Sequence, residues 1–233
     1  MINFNDEKQL LLLNELKSHY KELPFSKEKT DDLRYYFHNN WFGEADGVFY
    51  FFMLRYLKPK QIIEIGSGFS SCVLLDSNEL FFNNTIKCTF IEPEPTRLLN
   101  NIKKTDSIVL LQSNIQNVEL DVFKDLEPND ILFVDSSHIS SYESDVNYIF
   151  FKILPLLKTG VYIHFHDIFP NFEYPVEWIR KNDKINETYL LHAFLMYNTC
   201  FSIEMFPSYL MEKYPDKISF LNSGGSIYLK KNN

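Results

Sequence analysis

From residue 59 onward the chain alternates short, almost wholly apolar runs with longer segments of mixed polarity. The runs cover residues 62–65, 86–91, 108–112, 131–134 and 161–165, each flanked by polar or turn-forming residues. A strand that is apolar on both faces is buried on both, the condition of a parallel sheet covered by helices. The intervening segments, 70–82, 95–103, 118–125 and 142–155, read as helices. Strand–helix alternation at this spacing predicts right-handed crossovers and a doubly wound α/β sheet. Ahead of it, residues 6–21 read as an amphipathic helix and 44–58 as a more buried one ending near Pro59. Between them, 22–43 is irregular, with Pro24 and a cluster from Asn39 to Gly43. In the last third, 187–199 reads as a helix and 201–206 and 226–230 as strands, a pair placed to form an antiparallel edge. No repeat, low-complexity stretch or interdomain linker interrupts the pattern. The expected organisation is an N-terminal helical extension, residues 1–58, packed on one globular domain, 59–233. The first 43 residues are placed to cap a substrate cleft or to form a homodimer.

Composition narrows the classes. The chain has 233 residues, 45% of them hydrophobic and 23% charged, enough apolar material for a full core. A net charge of -8, with Lys and Arg clustered only in pairs such as Lys103 with Lys104, argues against nucleic acid as the principal partner. The 22 Phe and 14 Tyr read mainly as core filling. Cys72, Cys88 and Cys200 are odd in number and widely spaced, so neither a disulfide framework nor a zinc knuckle is expected. Three reduced thiols fit a cytoplasmic protein. The N-terminus lacks the features of a signal peptide, and no stretch reaches the 18 or so apolar residues of a membrane span.

In an open α/β sheet, ligands bind beyond the carboxyl ends of the strands. After the first strand, Glu64 leads into Gly66, Ser67 and Gly68, a turn that lets backbone approach a ligand at a helix N-terminus. Ser71 stands where a dinucleotide fingerprint has its third glycine, which disfavours a nicotinamide oxidoreductase. After the second strand, Glu92 is placed to accept the hydroxyls of an adenosine ribose. After the third, Gln112, Ser113 and Asn114 lie where an adenine edge would be read. After the fourth and fifth come Asp135 with His138, and His164, His166 and Asp167. Two carboxylates and several imidazoles converging on one edge are costly to bury unless they bind something. Asp135 and Asp167 suit a hard divalent cation, and His138 suits a general base. His164 and His166 share a strand face; His164, deeper in the strand, is the candidate core histidine. Phe172, Tyr174 and Trp178 are candidates for an aromatic lid.

The segments IIEIGSGFSS, FIEPEP, DILFVDSSHISSYESD, LPLLKTGVYIHFHDIF and GGSIYL resemble the class I S-adenosylmethionine (SAM)-dependent methyltransferases, from about residue 39 to 229. The resemblance implies a Rossmann-like, seven-stranded, mostly parallel sheet whose last strand is antiparallel. It implies cofactor contacts at Glu64, Gly66, Gly68 and Glu92, to which the strand-end reading adds Ser67, Ser113 and Asp135. It also implies magnesium held by Asp135 and Asp167, with a base at His138. The sequence departs from catechol-type enzymes at Ile168, where they carry an asparagine ligand, leaving His166 or a water to complete the set. The expected activity is O-methylation of a small-molecule, sugar or glycan hydroxyl, with His138, Asp135 and His166 catalytic. The alternative is a silent methyltransferase-fold module that binds a partner protein; the retention of Asp135, His138 and Asp167 together argues against it.

Overall fold

The computed structural model describes residues 2–218, 221 and 224–233. The chain opens with α1 (Asp6–Leu16), which tightens into a 3-10 turn over Lys17–Glu22, and α2 (Glu44–Leu57). Then follow β1 (Gln61–Ile65), α3 (Phe69–Phe81), β2 (Lys87–Ile91), α4 (Thr96–Leu99), β3 (Ile108–Leu111), α5 (Asp121–Lys124), β4 (Ile131–Val134), α6 (Asp145–Tyr148) and β5 (Tyr162–Phe165). The last part holds α7 (Val176–Lys181), α8 (Glu187–Leu195), β6 (Phe201–Met205), α9 (Pro207–Lys213) and β7 (Ile227–Lys231).

The strands form one sheet in the order β3-β2-β1-β4-β5-β7-β6. β1 to β5 are parallel; β7 runs antiparallel to both β5 and β6, between them. The expected antiparallel pair is therefore present, with β6 at the edge. Strand residues sort by parity into two cores, as a period of two demands. Ile62, Phe90, Phe133 and Tyr162 face the layer built by α2 and α3, whereas Ile63, Leu132, Val134 and Phe165 face the opposite one. The α2 run from Val48 to Leu54 is buried throughout, which makes it a core element.

Two of the expected helices are shorter than their segments. The 95–103 segment is helical only over Thr96–Leu99. The 142–155 segment starts at Asp145, where the Ser144 hydroxyl caps it, and passes through a π turn into a 3-10 turn over Leu154–Leu156. Pro155, which has no N–H to offer, sits in that last turn. α7 and α9 fall in segments that carry no clear period.

Register positions the chemistry. Ile65 is level with Ile91 on one side and Val134 on the other, and Val134 is level with Phe165. The next residue of each strand, Gly66, Glu92, Asp135 and His166, therefore lies in one row along the carboxyl edge. The chain runs outward from β1 to β3 and then returns to β4, so the strand order reverses between β1 and β4, where such sheets open a crevice.

Candidate active site

The turn after β1 is shaped by what lies under and beside it. Gly66 has φ +80°, and a Cβ there would meet the Asp135 carbonyl oxygen at 2.1 Å, so only glycine fits. The Glu64 carboxylate lies beneath this turn and is fully buried. It accepts hydrogen bonds from the Ser71 hydroxyl (2.5 Å) and the Tyr50 hydroxyl (3.2 Å), while the Gly68 N–H donates to Ser71 Oγ (3.1 Å). Burial pushes the Glu64 pKa up to about 8, with the two hydroxyls pulling it partway back. Glu64, named above as a cofactor contact, lines neither cavity and braces the turn from below, because its parity on β1 points it into the α2–α3 layer.

The other expected contacts line two adjoining cavities. The larger, about 530 Å³, is lined by Gly66, Glu92, Ser113 and Asp135 together with Ile91, Pro93 and Asn114. The smaller, about 320 Å³, is lined by Gly66, Ser67, Gly68, Glu92 and Asp135 with Trp41, Phe42, Arg97, His166 and Asp167. Glu92 stands between the two, its carboxylate oriented by the N–H groups of Ser67 (3.1 Å) and Glu94 (2.9 Å).

Beyond β4 and β5 the ionisable groups meet as the sequence suggested. His138 Nε2 lies 3.3 Å from Asp167 Oδ2 and 3.7 Å from Asp135 Oδ1. His166 Nδ1 lies 3.5 Å from Asp167 Oδ2 and 3.7 Å from Asp135 Oδ1. His138 and Asp167 both hold left-handed backbone, with φ 61° and 60°, a conformation that costs free energy and clusters at functional sites. Asp135, His166 and Asp167 each present a ligand atom within 4.8 Å of the others, and His166 Nδ1 is buried without a hydrogen-bond partner. Two carboxylate oxygens facing an orphaned imidazole nitrogen fit a divalent cation. Ile168, by contrast, is fully buried in the core, as an apolar residue at that position must be.

Burial alone would lower the pKa of both histidines. Hydrogen bonding to Asp167 and Glu187 overrides this for His138 and raises it to about 10. Asp167, Asp135 and Asp46 raise His166 well above the ordinary value. Partial burial would raise the Asp135 pKa, but His166 and His138 hold it below the usual carboxylate range. His164 goes the other way: burial, then the nearby His166, lower it well below the ordinary value. Its Nε2 pairs with the Ser226 hydroxyl at 2.9 Å and its ring stacks on Tyr228, as expected of a core histidine.

Two carboxylates complete the site that the motifs did not announce. Glu187 opens α8, and its Oε2 lies 2.7 Å from His138 Nδ1. The contact is built by backbone, since the His138 carbonyl accepts the N–H groups of Asn186 and Glu187. Asp46, on α2, places Oδ2 3.7 Å from His166 Nε2, while its Oδ1 accepts from the Gly225 N–H and the Ser226 hydroxyl. A buried acid inside the apolar run of α2 was the available signal for Asp46; Glu187 is an ordinary first-turn acid until the fold brings it to His138. The expected lid divides. Phe172 packs in the core against Phe206 and His192, and Tyr174 sits beside His138 with ring centroids 6.3 Å apart.

A family model described as a methyltransferase domain matches residues 63–168, the span from β1 to the residue after Asp167. Over that span the chain is similar to methyltransferase domains. A protein of Archaeoglobus fulgidus named only as uncharacterised is 34% identical over 131 residues, 55% of this chain; the chain spans 59% of that relative's length. The structure of a methyltransferase from Podospora anserina bound to S-adenosylhomocysteine (SAH) superposes with a TM-score of 0.56 at 17% identity, covering 97% of this chain and 88% of that one. An O-methyltransferase from Streptomyces achromogenes involved in tomaymycin synthesis, in complex with SAM, gives 0.51 at 13% identity, covering 95% and 90%. At these identities the likeness establishes the fold alone, a Rossmann-like seven-stranded sheet. Trp41, Phe42, Asp46 and Glu187 all lie outside the matched span, so elements flanking that span complete the site. No helix among the described residues is long and apolar enough to cross a membrane.

Proposed function

We propose that the protein is a SAM-dependent O-methyltransferase acting on a hydroxyl of a small molecule, a sugar or a glycan, with His138 as the general base. The observation that carries this reading is the His138 geometry. Its Nδ1 is held by buried Glu187, and its Nε2 faces Asp167 and Asp135 at the edge shared with the smaller cavity. When bound, SAM supplies a methyl group on a positively charged sulfur. An alcohol is a weak nucleophile until its proton leaves, so the acceptor needs a base beside it. Glu187 fixes the ring with the Nδ1 proton toward itself; the neighbouring acids raise the His138 pKa to about 10, so Nε2 would be free to take the acceptor proton once the cation offsets those acids and lowers that pKa. Glu92 orients the ribose from between the cavities, and the turn at Gly66–Gly68 admits the donor close to backbone, so donor and acceptor are held together.

Asp135, Asp167 and His166 would hold the divalent cation. The proposed ion is magnesium, although an imidazole among the donors also suits a first-row metal such as manganese. It would supply positive charge to lower the acceptor's proton affinity. Charge balance supports it: Asp46, Asp135, Asp167 and Glu187 bring four negative charges, and His138 and His166 at most two positive ones.

The test uses methyl-labelled SAM with a panel of hydroxylated small molecules and sugars. Label should pass to an acceptor oxygen, and prior chelation should reduce the rate. SAM and SAH should raise the melting temperature, since a ligand of the native state stabilises it, whereas NAD should not. Glu92→Ala should weaken SAH by roughly 1.5–3 kcal/mol, the scale of hydrogen bonds to a charged group. Equal stabilisation by NAD, or undiminished SAH affinity in the variant, would sink the cofactor assignment.

A further inference from the structure

The cofactor reading leaves one charge without a partner. SAM carries a sulfonium and an ammonium, both cationic, and an α-carboxylate. The smaller cavity, next to the glycine turn, presents Glu92, Asp135 and Asp167 to a ligand, which suits the cations and repels the carboxylate. Arg97 is the one Lys or Arg among the described residues that line either cavity. It lies directly over the turn: a Cβ on Gly68 would come within 2.8 Å of Arg97 Cδ. Its guanidinium stacks on the Trp41 ring, 3.7 Å from the centroid. Stacking occupies the flat face and leaves the donor edge free. Among the described residues no side chain accepts from that edge; only the Arg97 backbone carbonyl is engaged, by Asn101.

We infer that Arg97, held flat by Trp41 over Gly68, is the receptor for the carboxylate at the amino-acid end of the methyl donor. The inference rests on the SAM reading and adds a recognition residue from outside the glycine turn, together with one, Trp41, from outside the matched domain. A planar guanidinium matches a carboxylate with two parallel hydrogen bonds, which a lysine or an amide cannot reproduce. Placing the single cation among three acids also fixes polarity: reversing the ligand would set its carboxylate against Asp135 and Asp167.

The decisive ligand pair is SAM and decarboxylated SAM, identical but for this group. Calorimetric titration of the full chain should give wild type about 10- to 100-fold tighter for SAM, the scale of charge-assisted hydrogen bonds. Arg97→Gln should bring the ratio close to one by weakening SAM alone, and Arg97→Lys should recover part of it. Trp41→Ala should reduce the ratio less than Arg97→Gln, because the charge remains and only its support is lost. If Arg97→Gln weakens both ligands equally, the residue merely shapes the cavity and the assignment falls. It falls equally if the variant keeps the wild-type ratio, the outcome expected were Arg97 to serve an anionic acceptor. Wild type binding both ligands alike would overturn this assignment and leave the cofactor reading standing. Wild type binding neither would overturn both.

Discussion

Two clusters of charge in this molecule are built from similar parts and left in opposite states. Toward the C-terminal end of α3, Arg34 Nη1 donates to Asp76 (2.6 Å) and Glu79 (2.9 Å), and Nη2 donates to Asp106. The second Asp76 oxygen accepts the N–H groups of Arg34 and Tyr35, and Lys103 closes the set on Glu79. Among the described residues of this cluster, Arg34 Nε alone is buried without a partner. At the carboxyl edge of the sheet the charges stand 3.3–3.7 Å apart, apart from the His138–Glu187 contact, and His166 Nδ1 and Glu187 Oε1 are buried without partners. The first cluster is nearly satisfied within the protein; it fastens the irregular 22–43 segment to α3 and so holds Trp41 and Phe42 over the smaller cavity. The second is short of positive charge and of hydrogen bonds, the state of a site completed by a ligand. Burial alone does not distinguish them; saturation does.

The contrast is testable where its effects are largest. His138→Ala should lower turnover per folded molecule by about 10²–10⁴-fold, the usual contribution of a positioned base, and because it strands buried Glu187 the stability loss is read separately from the urea midpoint. A variant that keeps full turnover would move the base elsewhere, with His166→Ala the next to assay. Next in size, Arg34→Met should cost about 3–5 kcal/mol of folding stability, because it strands the buried Asp76 charge. At saturating SAM, turnover per folded molecule should stay near wild type, since the cluster touches none of the groups at the carboxyl edge; a loss of chemistry without a loss of stability would show that the two clusters are not functionally separate.

The last test concerns Glu64, a carboxyl of the site region that belongs with the fold. It ionises near 4.5 in an unfolded chain and near 8 in the folded one. The native state therefore holds the proton longer. Its contribution is fully present below pH 4.5 and is lost as pH rises through about 8. The slope is at most about 1.4 kcal/mol per pH unit. Glu64→Gln, which mimics the protonated form, should flatten the fall in stability across that window. Unfolding titrations of both proteins from pH 5 to 9 would show it, and parallel curves would mean that Glu64 is ionised in the fold.

Much of the fold was legible because it rests on periodicity. Runs such as 131–134 are apolar on both faces for the same reason that β4 is buried on both. The strand ends then gave Gly66, Glu92, Asp135, His138, His166 and Asp167, since register makes the residue after each strand a neighbour of the next. Glu64 sits one residue inside that edge, where parity turns the side chain into the core. Asp46 and Glu187 were hidden for a different reason. Each reaches its histidine across a tertiary contact from another element, α2 or α8, and no local spacing encodes such a distance. The shortening of the 95–103 helix has no account in its sequence.

The placement of β7 carries a consequence for the order in which the molecule can assemble. This strand lies between β5 and β6 and meets β5 across a separation of 62 residues at the His164–Ser226 contact. Until β7 docks, β5 presents a bare edge and β6 has no strand to pair with. The same docking delivers Gly225 and Ser226 to Asp46, the acid behind His166. Closing so long a loop is slow compared with forming the neighbouring βα units. The glycine turn and Glu92 need no contact from β7, whereas the imidazole side of the cleft gains its backing only when β7 docks.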